Sequence, residues 1–539
     1  MDKELAAIND MNALDLNNPI EFNEARKIQR SVVVKLKGIL SKKNADMPVD
    51  WQLIKGRLVA QGCVLKDGNN RMASGGYFQY DKPASLLGLR FALAYSRCLP
   101  EGDVACFDID SAYLSADLGG PPCFGRLPKE MWPESWTGMT DPVVRVNKAL
   151  YGLKRAGSDF SMEARRRLKS LEWELLPGDL NIYAKSKNGR RLLLRLYVDD
   201  GCIVGSRSEI QDELDELKAV FKISKPCEFL SDATVDHPVR YLGLDLYTDA
   251  AGSLYIDRTT YARHILAGAV GRFPGQGGRR GCATPAVDVK DLYKGREIAP
   301  DGTRTILGQL LWLARTAKPE VSFAVGRIAR VVDRWSNIAE AALGRLLAYI
   351  DAHPDSLLIY GKPSSCFSLN DLEVVTFADA DLGACPETKR STTGYATYLK
   401  CRESEMLVDW SSRNQGAVST STTESEIAAF REAIQVSAVP AMELLRGLIN
   451  KAPNLTIYTD SLSARRSVIN GFSARLVHLT LTHELSLAWL CEFCEGRPRT
   501  APHYEYREPR RYLHQATRTH RLWALSSRSS AVADVEGAR

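Results

Sequence analysis

Apolar residues keep two different rhythms along this chain, and the changes of rhythm mark its elements. Phe22, Ala25, Ile28, Val32 and Leu36 recur at near-helical spacing, which predicts a surface helix over residues 19–40. Residues 51–61 read W-Q-L-I-K-G-R-L-V-A-Q, a strand on which Lys55 and Arg57 project from one face. A polyphosphate would suit two such cations, and an exposed strand face accounts for them equally well. Further on, the apolar run at residues 105–107 leads into Asp108, with Tyr113 following.

The stretch L-R-L-Y-V-D-D-G-C-I-V-G over residues 194–205 sets Asp199 and Asp200 between two apolar runs and predicts strand, tight turn, strand. Adjacent carboxylates at the tip of a buried hairpin resist joint ionisation. A divalent cation resolves that conflict, since Mg2+ binds through one or two carboxylates plus substrate phosphates. Taken alone, Asp-Asp-Gly is more often a polar hairpin turn. Residues 250–365 read as mostly helical, with two amphipathic stretches split by Pro319 and a glycine-rich loop at 275–281.

After about residue 370 the rhythm becomes that of strands. V-V-T-F-A-D-A-D at 374–381 ends in Asp379 and Asp381, and 391–399 and 406–410 continue the sheet. S-T-T-E-S-E-I-A-A-F at 421–430 opens a helix, with Ser421 or Thr422 as cap and Glu424 and Glu426 at its start. L-T-I-Y-T-D at 455–460 is a further strand ending in Asp460, and 464–468 starts another helix. The order is three strands, helix, strand, helix, with acids at strand ends.

Composition narrows the class. A chain of 539 residues exceeds one core, and a prior of about 150 residues per domain gives three or four domains. The net charge of +6 is compatible with nucleic acid without requiring it. No apolar run reaches the roughly 18 residues of a membrane helix, so no membrane partner is expected. Cys491 and Cys494 form a lone C-x-x-C, which lacks the second half of a zinc site. Residues 496–539 interleave Arg with Tyr, which could grip nucleic acid by charge and stacking, but composition favours an irregular basic tail.

Asp108 with Tyr113 at its spacing, followed by Tyr197-Val198-Asp199-Asp200, resembles the palm of a reverse transcriptase. Between them, K-A-L-Y-G-L-K-R-A-G-S-D-F at 148–160 is similar to the L-Y-G-L-K-Q-A-P-R-A-W text of copia-type LTR retrotransposon polymerases. K-G-R-L-V-A-Q-G at 55–62 and Y-L-G-L-D at 241–245 resemble that family's K-A-R-L-V-A-K-G and F-L-G segments. The strand-and-acid order after residue 370 resembles the same family's RNase H text. Four ordered polymerase motifs make a strong signal where each alone would be weak.

The resemblance implies an α+β multidomain protein: a right-hand polymerase of fingers, palm and thumb, followed by an RNase H-like α/β domain. Its plan would be an N-terminal helical segment at 1–50, fingers and palm at 51–250, a mainly helical thumb or connection at 251–370, an RNase H-like domain at 371–495 and the tail at 496–539. It implies RNA-directed DNA polymerase activity with linked ribonuclease H, acting by two-metal phosphoryl transfer. Asp108, Asp199 and Asp200 would ligate Mg2+ at one site and Asp379, Glu426 and Asp460 at the other. Two ions are expected per site, with Mn2+ as a substitute. Lys55 or Arg57 would neutralise a dNTP triphosphate, Tyr113 would exclude a ribose 2′-OH, and Arg155 would handle the nucleotide. Partners would be an RNA template, a DNA primer and the RNA–DNA hybrid, in a cytoplasmic virus-like particle or the nucleus.

The text departs from the family at two functional points. Arg155 stands where the family has Gln, and Val477-His478-Leu479-Thr480 stands where it has K-H-I-D, removing a carboxylate. These departures keep a second reading open: a degenerate or repurposed retroelement protein that binds nucleic acid without polymerising. No protease D-S-G or D-T-G and no integrase His/Cys pattern occurs, so a polymerase–nuclease portion of a Pol polyprotein is expected.

Overall fold

The computed structural model describes residues 2–43, 52–62, 66–67, 84–269, 282–286, 291–363, 368–402, 404–449 and 452–495. The glycine-rich loop expected at 275–281 and the basic tail lie outside the described residues. Both α and β structure are present throughout, and the chain divides into two compact units. One holds Met1–Ser85 with Val104–Glu228; the other holds Leu86–Asp103 with Phe229–Arg539. Leu86–Asp103 thus falls in the second unit, although the sequence plan places it within fingers and palm.

The first unit opens with helix Asp2–Asp10 and the short helix Phe22–Ala25, then turns to strand over Val32–Lys43. This corrects the helical segment expected for residues 1–50. Val32, Val34 and Leu36 are buried while Lys35 and Lys37 are exposed, which is the two-residue period of a strand. The spacing of Val32 and Leu36 satisfies both rhythms, and the β-branched run Val32-Val33-Val34 decides for the strand. That strand pairs with Leu53–Ala60, setting Ser41 opposite Lys55 and Ile39 opposite Arg57. Both lie in a sheet ordered Ile20–Glu21, Pro142–Arg145, Cys123–Arg126, Val32–Lys43, Leu53–Ala60.

The acidic hairpin belongs to another sheet. Its strands run in the order Glu228–Phe229, Gly102–Asp108, Asp200–Ser206, Arg190–Tyr197, Ile182–Lys187, Glu174–Leu175. Leu192, Leu193, Leu194 and Leu196 are all buried, so their strand is covered on both faces. Arg195 is buried among them and donates to the carbonyls of Ala84 and Ser85, each at 3.2 Å. Helix Arg207–Val220 leaves this sheet with the Glu209 carboxylate accepting from Ser206 N–H at 3.2 Å and Ser206 Oγ–H at 2.6 Å.

In the second unit, the antiparallel strands Val239–Tyr241, Leu244–Thr248, Leu254–Asp257 and Leu357–Tyr360 form one sheet. Helices Thr259–Ala269, Thr303–Thr316, Ser322–Ala329 and Asn337–Ala352 share one apolar core, in the region where mostly helical structure is expected. A separate sheet runs Ser404–Asn414, Thr392–Cys401, Leu372–Ala380, Asn454–Tyr458. Its first three strands are antiparallel, and Asn454–Tyr458 joins parallel to Leu372–Ala380. Helix Thr422–Ala433 widens into a π turn at Ile434–Ala438 before continuing as Val439–Arg446. Pro440 just beyond has no N–H to donate, and a wider turn accommodates the missing bond.

One buried cation seams helix Leu86–Arg97 to strand Ser404–Asn414. The Arg90 guanidinium donates to Val408 O at 3.2 Å and to Arg315 O, lies 3.8 Å from the Asp409 carboxylate, and stacks 3.8 Å from the Trp410 ring centre. Burial pushes the guanidinium down to about 10. Removing one member of such a buried pair strands the other, at a cost of about 3–5 kcal/mol. Arg90→Ala is therefore expected to lower unfolding stability by about that amount in urea titrations. A loss within the range of exposed ion pairs, below about 1 kcal/mol, would show that the seam does not hold this unit together.

Candidate active sites

Tyr197 pairs with Asp200, so Val198 and Asp199 form a two-residue turn at the tip of the acidic hairpin. Val198 adopts a φ of +59°, a left-handed conformation that costs a β-branched residue on the order of 1–3 kcal/mol. Ile109 N–H donates to the Asp199 carbonyl at 2.7 Å, which ties the turn to the residue after Asp108. Gly201 is required by packing: a Cβ there would lie 2.2 Å from the Phe107 ring, next to Asp108.

Charge accumulates at this end of the sheet. Burial raises the Asp199 carboxyl above its ordinary value and the Asp108 charge adds to the rise, while Arg57 and Lys55 oppose it. Lys55 and Arg57 thus both act electrostatically on Asp199. Asp108 also pairs with Lys225, which feels the charges of Asp110 and Asp200 as well. Asp108, Asp199 and Asp200 do not form a set of ligand atoms all within 4.8 Å of one another.

Tyr151 is the residue that motif reading passed over. Its ring meets Tyr113 edge-on at 5.0 Å and lies 5.2 Å from the Arg57 guanidinium. Burial, with the Asp199 charge adding, pushes its phenol up to about 12. The available signal was its place in L-Y-G-L-K, beside residues that were singled out. Tyr113 stands on the short 3-10 turn Tyr113–Ser115 and also meets Phe160 at 6.2 Å. Arg155 precedes helix Ala156–Ser170 and grips Asp159 with two hydrogen bonds of 2.8 and 2.7 Å. Asp159 in turn accepts from Gly119 N–H at 3.1 Å, so Arg155 serves a local clamp in this structure.

A second acid cluster forms in the other unit. Phe377 pairs in parallel with Tyr458, which brings Asp379 and Asp460 to the same end of the sheet. Glu426 reaches them from helix Thr422–Ala433, and one ligand atom from each of the three lies within 4.8 Å of the others. Burial and the charges of Asp379 and Asp460 push Glu426 up to about 9. One of its oxygens is buried without a hydrogen-bond partner. Crowded carboxylate oxygens of this kind form the donor set a hard divalent cation takes.

Glu424 is buried and turned to another task. It accepts from Thr420 N–H at 2.7 Å and Thr420 Oγ–H at 2.6 Å, and lies 3.0 Å from His483 Nε2 and 3.3 Å from His478 Nε2. Neither His483 nor its contact with Glu424 is legible from local sequence, because the pair is joined across the fold. Thr480 donates to the Leu485 carbonyl at 3.3 Å, a local turn contact.

A family model described as reverse transcriptase (RNA-dependent DNA polymerase) matches residues 26–283. The chain is similar to the retrovirus-related Pol polyprotein from transposon RE2 of Arabidopsis thaliana, with 26% identity over 80% of this chain and 27% of the relative. It is also similar to the corresponding polyprotein from transposon TNT 1-94 of Nicotiana tabacum, with 24% identity over 82% of this chain and 31% of the relative. It thus spans about a quarter to a third of the length of these relatives. A solved structure of foamy viral protease-reverse transcriptase in complex with RNA/DNA hybrid aligns with a TM-score of 0.45 and 13% identity. That alignment covers 93% of this chain and 53% of the other, a likeness too loose to carry an argument.

Glu426 sets a pH test. Its folded value of about 9 lies above its ordinary 4.5, so its contribution to stability is present below pH 4.5 and lost as pH rises toward about 9. Without divalent cation, Glu426→Gln is expected to flatten that loss in thermal melts. Added Mg2+ should raise the melting temperature of the wild type more than that of the variant. Parallel pH slopes for the two proteins would contradict the crowded-acid account.

Proposed function

The chain belongs to the reverse transcriptase family of transposon Pol polyproteins, and on that premise we propose that it copies retroelement RNA into DNA and degrades the RNA of the resulting hybrid. The observation that carries the polymerase half is the hydrogen bond from Ile109, the residue after Asp108, to the Asp199 carbonyl of the acidic hairpin, with the charges of Lys55 and Arg57 acting on Asp199. The observation that carries the nuclease half is the close triad Asp379, Glu426 and Asp460 at the end of a sheet.

In this reading a right-hand polymerase precedes an RNase H-like domain. Asp108, Asp199 and Asp200 would hold divalent cations at the first site, and Asp379, Glu426 and Asp460 would hold them at the second. Carboxylate oxygens suit Mg2+, which takes oxygen ligands and leaves room for substrate phosphates, and the second set is already gathered within 4.8 Å. The chemistry supplied there would be charge stabilisation of an in-line phosphoryl displacement. Lys55 and Arg57 neutralise the triphosphate of an incoming dNTP. Tyr151 keeps the Arg57 guanidinium over its ring face, a cation–π contact. Tyr113, braced edge-on by Tyr151 and Phe160, takes the place where a ribose 2′-OH would collide. The second site distinguishes RNA from DNA at the 2′-OH.

Primer extension on an RNA template and cleavage of a labelled RNA–DNA hybrid test the two halves separately. Asp199→Asn is expected to cut extension by about 100-fold or more while sparing cleavage, a loss typical of removed transition-state electrostatics. Asp460→Asn should do the reverse. Hybrid binding with no Mg2+-dependent product in either assay would favour the non-polymerising reading instead. Tyr113→Ala should raise ribonucleotide incorporation relative to deoxyribonucleotide; an unchanged ratio would remove Tyr113 from the selectivity role.

A further inference from the structure

We propose that Lys225 is a tethered cation that occupies the Asp108 carboxylate when no divalent ion is bound and has to be displaced when one binds. The proposal rests on reading Asp108, Asp199 and Asp200 as a cation-binding group.

The segment that carries Lys225 is built onto the acid-bearing strand. After helix Arg207–Val220, the Phe221 side chain is buried and its N–H donates to the Leu217 carbonyl at 2.8 Å. Arg167 donates to the Val220 carbonyl at 2.8 Å and stacks 5.5 Å from the Phe221 ring. Asp110 N–H donates to the Lys222 carbonyl at 2.8 Å, so the root of the segment is fixed two residues from Asp108. From this root Lys225 reaches Asp108 Oδ2 directly, with the charges of Asp110 and Asp200 also acting on it.

The anchored backbone and the exposed side chain differ in how firmly they are held. The Lys225 side chain is 59% exposed and the Asp108 side chain 32%. An ion pair this open to water is weak, and the four-carbon stem can rotate out without disturbing its root. A lysine ammonium donates hydrogen bonds with a single charge, whereas a divalent ion draws several carboxylate oxygens inward. The two acid clusters illustrate the alternatives. At Asp379, Glu426 and Asp460 the acids crowd within 4.8 Å and Glu426 is pushed up to about 9. At Asp108 a protein cation supplies the counter-charge, and the three hairpin-site acids do not close to that distance.

Mn2+ serves as the probe, titrated into the full chain carrying Asp460→Asn so that the second cluster contributes least, with bound ion counted by electron paramagnetic resonance. Lys225→Gln and Lys225→Met are each expected to bind Mn2+ more tightly, by about 3-fold to 10-fold, and Lys225→Arg to stay near wild type. A second measurement needs no variant at Lys225: in the wild type, amine acylation at Lys225 followed by mass spectrometry should speed up on adding Mn2+, as the amine is released. Binding that is lost with Asp199→Asn but unchanged or weakened by both neutral variants would overturn the lysine proposal alone, as would acylation indifferent to Mn2+. Binding indifferent to Asp199→Asn would sink the cation-site reading beneath it.

Discussion

A backbone hydrogen bond from Ile109 to the Asp199 carbonyl holds two acid-bearing segments together against the repulsion of their own charges. The surroundings of the hairpin can be understood as what makes that junction tolerable. The Leu-rich strand leading into the turn is buried on both faces, which gives the hairpin a firm base. Gly201 lets the Phe107 ring close over the strand beside Asp108. Val198 takes up backbone strain at the tip, where surrounding structure over-determines an unfavourable φ. Three cations from two segments, Lys55 and Arg57 on one strand and Lys225 after helix Arg207–Val220, then offset the negative charge.

The second cluster answers the same electrostatic problem with protonation. Burial and two neighbouring carboxylates keep Glu426 neutral far above the pH at which a free glutamate ionises. The first turn of its helix carries Glu424, whose carboxylate accepts from the Thr420 backbone and side chain and faces two histidines. Two glutamates two positions apart therefore have opposite electrostatic fates: Glu424 is held low by hydrogen bonds, with burial opposing, and Glu426 is held high. Side chains two positions apart on a helix point about 200° from each other, which is why the text E-S-E splits between a structural anchor and a cluster.

Much of this was legible in the order of residues. Acids at the ends of apolar runs, a helix cap at Ser421 and the break at Pro319 are local signals, and local backbone geometry realises each of them. The N-terminal segment departs from its helical expectation because Val32 and Leu36 fit a helical and a strand period alike, and only pairing with Leu53–Ala60 resolves the ambiguity. Arg155 was singled out by position, while its side chain is claimed by Asp159 one turn along the helix. Tyr151 and Lys225 were overlooked because their partners lie far away in sequence.

What the sequence determined by itself is the kind of chemistry: which segments end in carboxylates, in what order, and with which cations and aromatics between them. Those features follow from chain-local rules of period, turn and cap, so they survive without knowledge of the fold. The tertiary structure decided which charges meet. It placed Lys225 on Asp108, Arg57 over Tyr151, the histidines against Glu424, and helix Leu86–Arg97 around a buried Arg90. Electrostatic and packing energies depend on distance in space, and sequence separation carries no record of that distance until the chain has folded.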